Sequence, residues 1–109
     1  MEAKKSLQYE VEKSPDDQLG NKVTTVRCHG RLTSEHCSEL KGVIKPLIVA
    51  GGHIVVDLGD LQFMDSSGLA AMISLKVSAI NRGLCILEFV NMTPRVMDLL
   101  RMTALDKVL

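Results

Sequence analysis

The chain changes hydrophobic rhythm several times. Leu7, Tyr9 and Val11 alternate with Gln8, Glu10 and Glu12, the period of a strand with one face in solvent. Ser14 to Asn21 is rich in turn formers and reads as a loop. Val23 to His29 is β-branched and predicts a second strand, stopping at Gly30. These two strands are expected to form an antiparallel hairpin across residues 6–30, with a long loop over 14–21. The period then becomes helical, with Cys37, Leu40, Ile44, Leu47 and Ile48 on one face. Thr33 or Ser34 is the expected cap of that helix, and Pro46 should kink or shorten its last turn. Ile54-Val55-Val56-Asp57-Leu58 reads as a central strand buried on both faces, followed by a connection over 59–64. Asp65-Ser66-Ser67-Gly68 opens the next helix, with Leu69, Met72, Ile73, Val77 and Ile80 as its buried stripe and Gly83 as a left-handed cap. Leu84 to Val90 predicts another buried strand. Thr93-Pro94 starts a third helix with Val96, Leu99 and Leu100 inward, and Val108-Leu109 begins a last strand.

The order β-β-α-β-α-β-α-(β) implies an α/β fold. The expectation is one domain over residues 1–109, with a mostly parallel sheet of four to five strands, an antiparallel N-terminal hairpin and three helices. A chain of 109 residues suits one domain. Composition narrows the function classes. Lys and Arg number 13, as do Asp and Glu, and this zero net charge argues against a general nucleic-acid binder. Aromatics are 3% of residues, which leaves no base-stacking platform and makes the core aliphatic. Cys28, Cys37 and Cys85 form no CxxC pair, and an odd count points to reduced thiols in a cytoplasmic protein. Closely spaced Cys/His ligand pairs are missing, so no metal is expected, nor any cofactor. No run of 18 apolar residues is present and no long apolar segment follows the N-terminus, so neither a membrane span nor a secretory signal is expected.

In open parallel sheets, function gathers where strands end and helices begin. Two such junctions are Gly30-Arg31-Leu32-Thr33-Ser34 and residues 60–68. The second places an Asp, two hydroxyls and a Gly at a helix N-terminus, near unpaired N–H groups and the positive dipole end. A phosphate on Ser66 would be tolerated there. Asp-Ser-Ser-Gly is also ordinary helix-start chemistry, so a plain cap is the competing reading.

The run Leu61-Gln62-Phe63-Met64-Asp65-Ser66-Ser67-Gly68-Leu69 resembles the signature of the STAS family, specifically of bacterial anti-sigma factor antagonists. The similarity extends to Ile54–Leu58, to Asn91–Leu100, to Leu105–Leu109 and to Gly30-Arg31-Leu32, which is nearly the whole chain. The resemblance implies a switch rather than a catalyst. In the family, the Ser after the Asp is phosphorylated by a partner that is both anti-sigma factor and serine kinase, and a serine phosphatase resets it. That position here is Ser66. Asp65, Ser67 and Gly68 would support the phosphorylated loop, and Thr33, Ser34, Asp60, Met64 and Leu69 would belong to the partner surface. Gly68 would keep the approach to Ser66 clear. Leu61 and Phe63 are further anchor candidates, with core packing favoured for Phe63. The resemblance implies no nucleic-acid or membrane partner, and a monomer or weak homodimer.

Some positions depart from the family pattern. Thr33 stands where relatives often carry Asp. The 14–21 loop is longer than usual and should lie at the end of the sheet away from Ser66. Relatives commonly complete a strand and add a helix beyond the point where this chain stops, so apolar surface and dimerisation are expected at that end. Other STAS proteins are stressosome scaffolds, subunits of lipid-transport complexes or regulatory domains of anion transporters, which are the nearest alternatives. A serine hydrolase with Ser66, a histidine and Asp57 is the enzyme alternative, but Met64 occupies the first Gly position of G-x-S-x-G. A nucleotide-binding module lacks its phosphate loop, since Gly51-Gly52 has no following Lys-Ser/Thr.

Overall fold

The structure, a computed structural model, describes residues 7–14, 20 and 22–103. The strand expected at Val108-Leu109 and most of the 14–21 loop lie outside them. The element order is β1 (Leu7–Ser14), β2 (Val23–Leu32), α1 (Cys37–Ala50), β3 (Gly52–Met64), α2 (Ser66–Arg82), β4 (Cys85–Val90) and α3 (Pro94–Met102). The four strands form one sheet in the order β1-β2-β3-β4. β1 runs antiparallel to β2, with Leu7 opposite Gly30 and Ser14 opposite Val23. β2, β3 and β4 are parallel to one another. The fold is the expected α/β domain with an N-terminal hairpin and three helices.

The helices cover one face of this sheet. Val26 and Cys28 on β2, Ile54, Val56 and Leu58 on β3, and Leu87 and Phe89 on β4 are buried beneath them in one core cluster. Alternate residues face outward: Val55 and Asp57 are half-buried, and Ile86 and Glu88 are exposed. β3 is therefore not buried on both faces as its apolar run suggests. Burial of the Cys28 thiol pushes its pKa up to about 12, so it behaves as a small core residue. On β1, Tyr9 and Val11 pair with buried Cys28 and Val26 yet stay exposed themselves, because they lie on an outer strand.

Residues 59–64, expected as a connection, continue β3. Two register shifts make this possible. Between Arg27–Asp57 and His29–Asp60, two steps along β2 match three along β3, and between Gly30–Leu61 and Arg31–Phe63 one step matches two. Each bulge adds one residue to β3 and rotates the phase of its side chains. Burial accordingly moves from Leu58 to Leu61 and then to Met64. Asp57 Oδ1 holds the first bulge, accepting from the Gly59 N–H at 2.9 Å and from Asn91 Nδ2 at 3.1 Å. Asn91, which leaves β4, adopts the left-handed region at φ 57°.

The helices differ from expectation in detail. α1 starts at Cys37, not at Thr33 or Ser34. Residues 33–36 form a turn closed by the His36 N–H donating to the Thr33 carbonyl at 2.9 Å. His36 is the N-cap residue and makes no side-chain capping bond. Pro46 is accommodated within a helix that continues to Ala50, and Leu40, Ile44 and Ile48 are its buried residues. Thr93 caps α3 by accepting from the Val96 N–H, with Pro94 in the first turn as expected.

The largest correction concerns α2. Its buried residues are Gly68, Leu69, Ala71, Met72, Leu75 and Ala79. Val77 is 44% exposed and Ile80 62% exposed. The helix is thus rotated so that Leu75 and Ala79, not Val77 and Ile80, continue the inward line from Met72. Lys76 is drawn to β4 by donating to the Leu87 carbonyl. Gly83 ends the helix at φ 80° in the left-handed region, as expected.

Leu75→Ala is expected to cost about 2–5 kcal/mol, the usual penalty for emptying a closed core site. Ile80→Ala should stay within about 0.5 kcal/mol of the parent. Urea unfolding of both variants in dilute solution separates them, and equal losses would return Ile80 to the core.

Candidate functional site

The site forms where the C-terminal ends of β2 and β3 deliver the starts of α1 and α2. The two junctions meet at Leu32. Its carbonyl accepts from the Asp65 N–H at 3.3 Å, which ties the end of β2 to the residue before α2. Asp65 is the N-cap of α2 in extended conformation, and its Oδ1 accepts from the Gly68 N–H at 2.9 Å. The bond satisfies one of the helix's unpaired donors and places a carboxylate at its positive end. Of the two roles open to Asp65, capping is the one observed.

Ser66 is the first residue of α2 and is exposed, while Ser67 beside it is half-buried. Gly68 is buried, and its role differs from keeping the approach to Ser66 clear. A Cβ at this position would come 2.7 Å from the Leu32 carbonyl oxygen and 2.8 Å from Met64 Cγ. Only a residue without a side chain lets α2 approach the ends of β2 and β3 this closely. Thr33 is half-buried in the neighbouring turn, its hydroxyl 3.2 Å from His36 Nδ1, and Ser34 is exposed. Asp65 also lies near the Cys37 thiol, which donates to the Thr33 carbonyl at 3.1 Å. Partial burial, and secondarily that carboxylate, raise the pKa of Cys37.

Three expected partner contacts are placed otherwise. Met64 and Leu69 are 5% and 3% exposed and belong to the core, because the second β3 bulge and the first turn of α2 turn them inward. Asp60 is exposed but engaged on the open face of the sheet, where its Oδ2 lies 2.7 Å from His29 Nδ1. Arg27, His29, Asp57, Gly59, Asp60 and Asn91 surround a cavity of about 280 Å³ there, which none of Asp65 to Gly68 lines. Leu61 is buried. Phe63, expected inside, is only half-buried. Its ring carries the Arg31 guanidinium at 4.7 Å and lines a groove of about 470 Å³ with Met64, Arg95, Leu99 and Met102. The alternating strand phase could have exposed this only if the bulges had been legible.

The histidines are engaged away from Ser66. His29 meets Asp60, His36 meets Thr33, and His53 pairs with Glu88 from the opposite end of β3. Asp57 is committed to the Gly59 bulge and Asn91. These pairings bring no Ser-His-Asp constellation to Ser66. Among the described residues no group of three or more His, Cys, Asp or Glu side chains could hold a metal ion, and no helix is long and apolar enough to cross a membrane.

The family comparison decides what kind of domain carries this junction. Residues 16–109 match the family described as Mlab, STAS domain. The chain belongs to the STAS domain family. No curated protein matches it. Among solved structures, an anti-sigma factor antagonist from Mycobacterium paratuberculosis superposes with a TM-score of 0.73 at 21% identity, over 99% of this chain and 86% of that one. SpoIIAA, an anti-sigma factor antagonist, in its unphosphorylated form gives 0.69 at 18% identity, over 92% and 84%. The phosphorylated form of SpoIIAA from Bacillus gives 0.64 at 17% identity, over 92% and 86%. At these identities the likeness is one of fold. In this STAS domain, the strand–cap–helix junction at Leu32, Asp65 and Gly68 is the structural centre of the candidate site.

Two predictions test its physics. Gly68→Ala should destabilise the domain by about 1–3 kcal/mol through overpacking against Leu32, read from the urea midpoint. An unchanged midpoint would mean that the junction can open without cost. The second concerns the open face. The hydrogen bond that the protonated ring donates to Asp60, followed by the charges of Glu10 and Asp60, raises the pKa of His29 above 6.5 against the opposing effect of desolvation. The folded state thus holds this proton more tightly than the unfolded chain. The resulting stability is complete below about pH 6.5 and is lost as pH rises through the elevated value. NMR titration of the His29 ring should show a lower pKa in Asp60→Asn, and no change would disprove the coupling.

Proposed function

We propose that this STAS domain is an anti-sigma factor antagonist that works by partner switching. Its unphosphorylated form binds an anti-sigma factor that is also a serine kinase, and so releases the sigma factor. Transfer of the γ-phosphoryl group of ATP to the Ser66 hydroxyl turns binding off, and a serine phosphatase restores it. The observation that carries this reading is the exposed hydroxyl of Ser66 at the first position of α2, directly after a cap that is already satisfied by Asp65.

The physics of such a switch is local. A protein–protein contact of ordinary size buries roughly 800 Å² per partner, and its centre is largely dry. Phosphorylation would add about −1.5 to −2 charges there. The helix N-terminus stabilises that charge within the domain, so the fold survives. The partner interface has to desolvate it beside Asp65, and each 1.4 kcal/mol of that penalty lowers affinity about tenfold. Thr33 and Ser34, in the turn that adjoins Asp65 through Leu32, belong to the same surface. Ser67 supports the first turn of the helix and is not the acceptor.

A second reading has one specific support, the description of the matching family as Mlab, STAS domain. In it the domain is a STAS scaffold or regulatory subunit of a stressosome or a lipid-transport complex, and the same surface binds a partner without serving as a kinase substrate.

Incubation with candidate kinase-type anti-sigma factors and ATP, followed by mass spectrometry, should place one phosphate on Ser66. Ser66→Asp should lose at least tenfold in affinity for the cognate anti-sigma factor while Tm stays nearly unchanged. Equal affinity of parent and Ser66→Asp would exclude the switch, and stable partner binding without phosphorylation would favour the scaffold.

A further inference from the structure

α3 divides its residues between two sides. Val96 and Leu100 are buried, while Arg95, Asp98, Leu99 and Met102 follow the i, i+3, i+4, i+7 spacing of a second side. Those four, with Phe63 and Met64 from the end of β3, line the groove of about 470 Å³. Ordinary ligand pockets fall in the same range, roughly 300–1,000 Å³. The wall of the groove is apolar and reaches solvent. Phe63 and Leu99 are half-buried, and Met102 is 83% exposed.

The charges around this wall are one-sided. The Arg31 guanidinium lies over the Phe63 ring at 4.7 Å. Arg95 is exposed and has no hydrogen-bond or ion-pair partner among the described residues. Asp98, the acid in the lining, is already matched within α3 by Arg101 at 3.4 Å. Two guanidiniums are therefore left over beside apolar surface, in a chain whose formal charge is zero. Arg95 also breaks a local rule. It stands in the first turn of α3, which holds no acidic residue, so a cation sits at the positive end of the helix. A rule broken with no gain inside the fold points to a gain outside it.

We propose that the groove between the end of β3 and α3 docks an acidic, apolar polypeptide segment of a partner protein. Apolar side chains of the segment cover Phe63, Leu99 and Met102. Its carboxylates meet Arg31 and Arg95, whose planar forks bind carboxylate through two hydrogen bonds. A second copy of this chain fits poorly, because groove against groove would oppose guanidinium to guanidinium. The chain's own residues 104–109 carry Asp106 and Lys107, which cancel, and so bring no excess negative charge. The groove is open along the surface, which suits a peptide rather than an enclosed acyl chain. None of Asp65 to Gly68 lines it, so the proposal is independent of the switch reading at Ser66.

Panning a library of random peptides against the domain tests it. Enriched sequences should combine Asp or Glu with Leu, Phe or Met. The strongest, once synthesised, should bind with a Kd of about 0.01–1 mM and shift the amide NMR signals of Phe63, Leu99 and Met102. Arg31→Glu and Arg95→Glu should each weaken binding at least tenfold. Arg95→Glu should also keep or raise Tm, because it puts an acid at a helix N-terminus, so lost binding is not lost folding. The same peptide with Lys in place of its acids should bind the doubly reversed variant better than the parent. Ile80→Glu, exposed on α2, should leave binding unchanged. No kinase or ATP enters the assay, so failure of the phosphorylation experiment would leave this result standing. The proposal is overturned by a library that yields no enrichment, by enriched peptides without acids, or by shifts that map away from the groove. Concentration-dependent shifts at the groove without peptide would give it to a second copy. Nuclear Overhauser contacts from the Phe63 ring to Leu105 or Val108 would give it to the chain's own end, and tighter binding of oleate than of any peptide would give it to a lipid. Each of these three also overturns the proposal.

Discussion

The candidate site depends on how closely α2 approaches the end of β2. A side chain at position 68 would bring its Cβ within 2.7 Å of the Leu32 carbonyl oxygen, so the contact exists only because Gly68 has none. The same carbonyl accepts from the Asp65 N–H, and Asp65 in turn holds the Gly68 N–H. Three residues thereby lock two strands and a helix into one joint. Ser66 and Ser67 are carried by this joint rather than by a free loop. Ser66 is consequently an exposed residue at the start of a helix whose first turn is capped by Asp65.

β3 is the element that makes the joint possible. An unbulged strand of this length would keep one parity of side chains in the core from end to end. The two bulges break that parity, so that Leu58, Leu61 and Met64 all point inward while the strand still reaches the end of β2. Asp57 stabilises the first bulge by accepting from Gly59 and Asn91, and so links it to the exit of β4. The open face of the sheet then collects His29, Asp60 and Arg27 away from the Ser66 junction.

STAS membership and the candidate site answer different questions. The family match over residues 16–109 and the superpositions on anti-sigma factor antagonists establish the kind of scaffold. At the junction Ser66 and Ser34 are exposed, while Thr33 and Ser67 are half-buried. The histidines are bonded elsewhere, and Asp57 is structural. A single charge added at Ser66 would act where a helix start tolerates it and an interface does not.

Much of this was written in local residue patterns. Strand and helix order, the Thr93-Pro94 start, the Gly83 stop and the Asp65 cap all follow from short-range propensities and hydrogen bonds that need no distant partner. The Asp-Ser-Ser-Gly junction was legible for the same reason. What only the tertiary structure decided was which apolar positions look inward. The apolar run of β3 suited a strand covered on both sides, but helices on one face alone leave Val55 half-exposed. The bulges that bury Met64 depend on pairing with β2. On α2 both stripes repeat at helical spacing, so periodicity could not choose between Leu75 with Ala79 and Val77 with Ile80. The contact of Gly68 with Leu32 and the packing of α2 against α1 and β4 chose, because a helix seated on a sheet has only one rotation that lets its smallest residue touch the strand end.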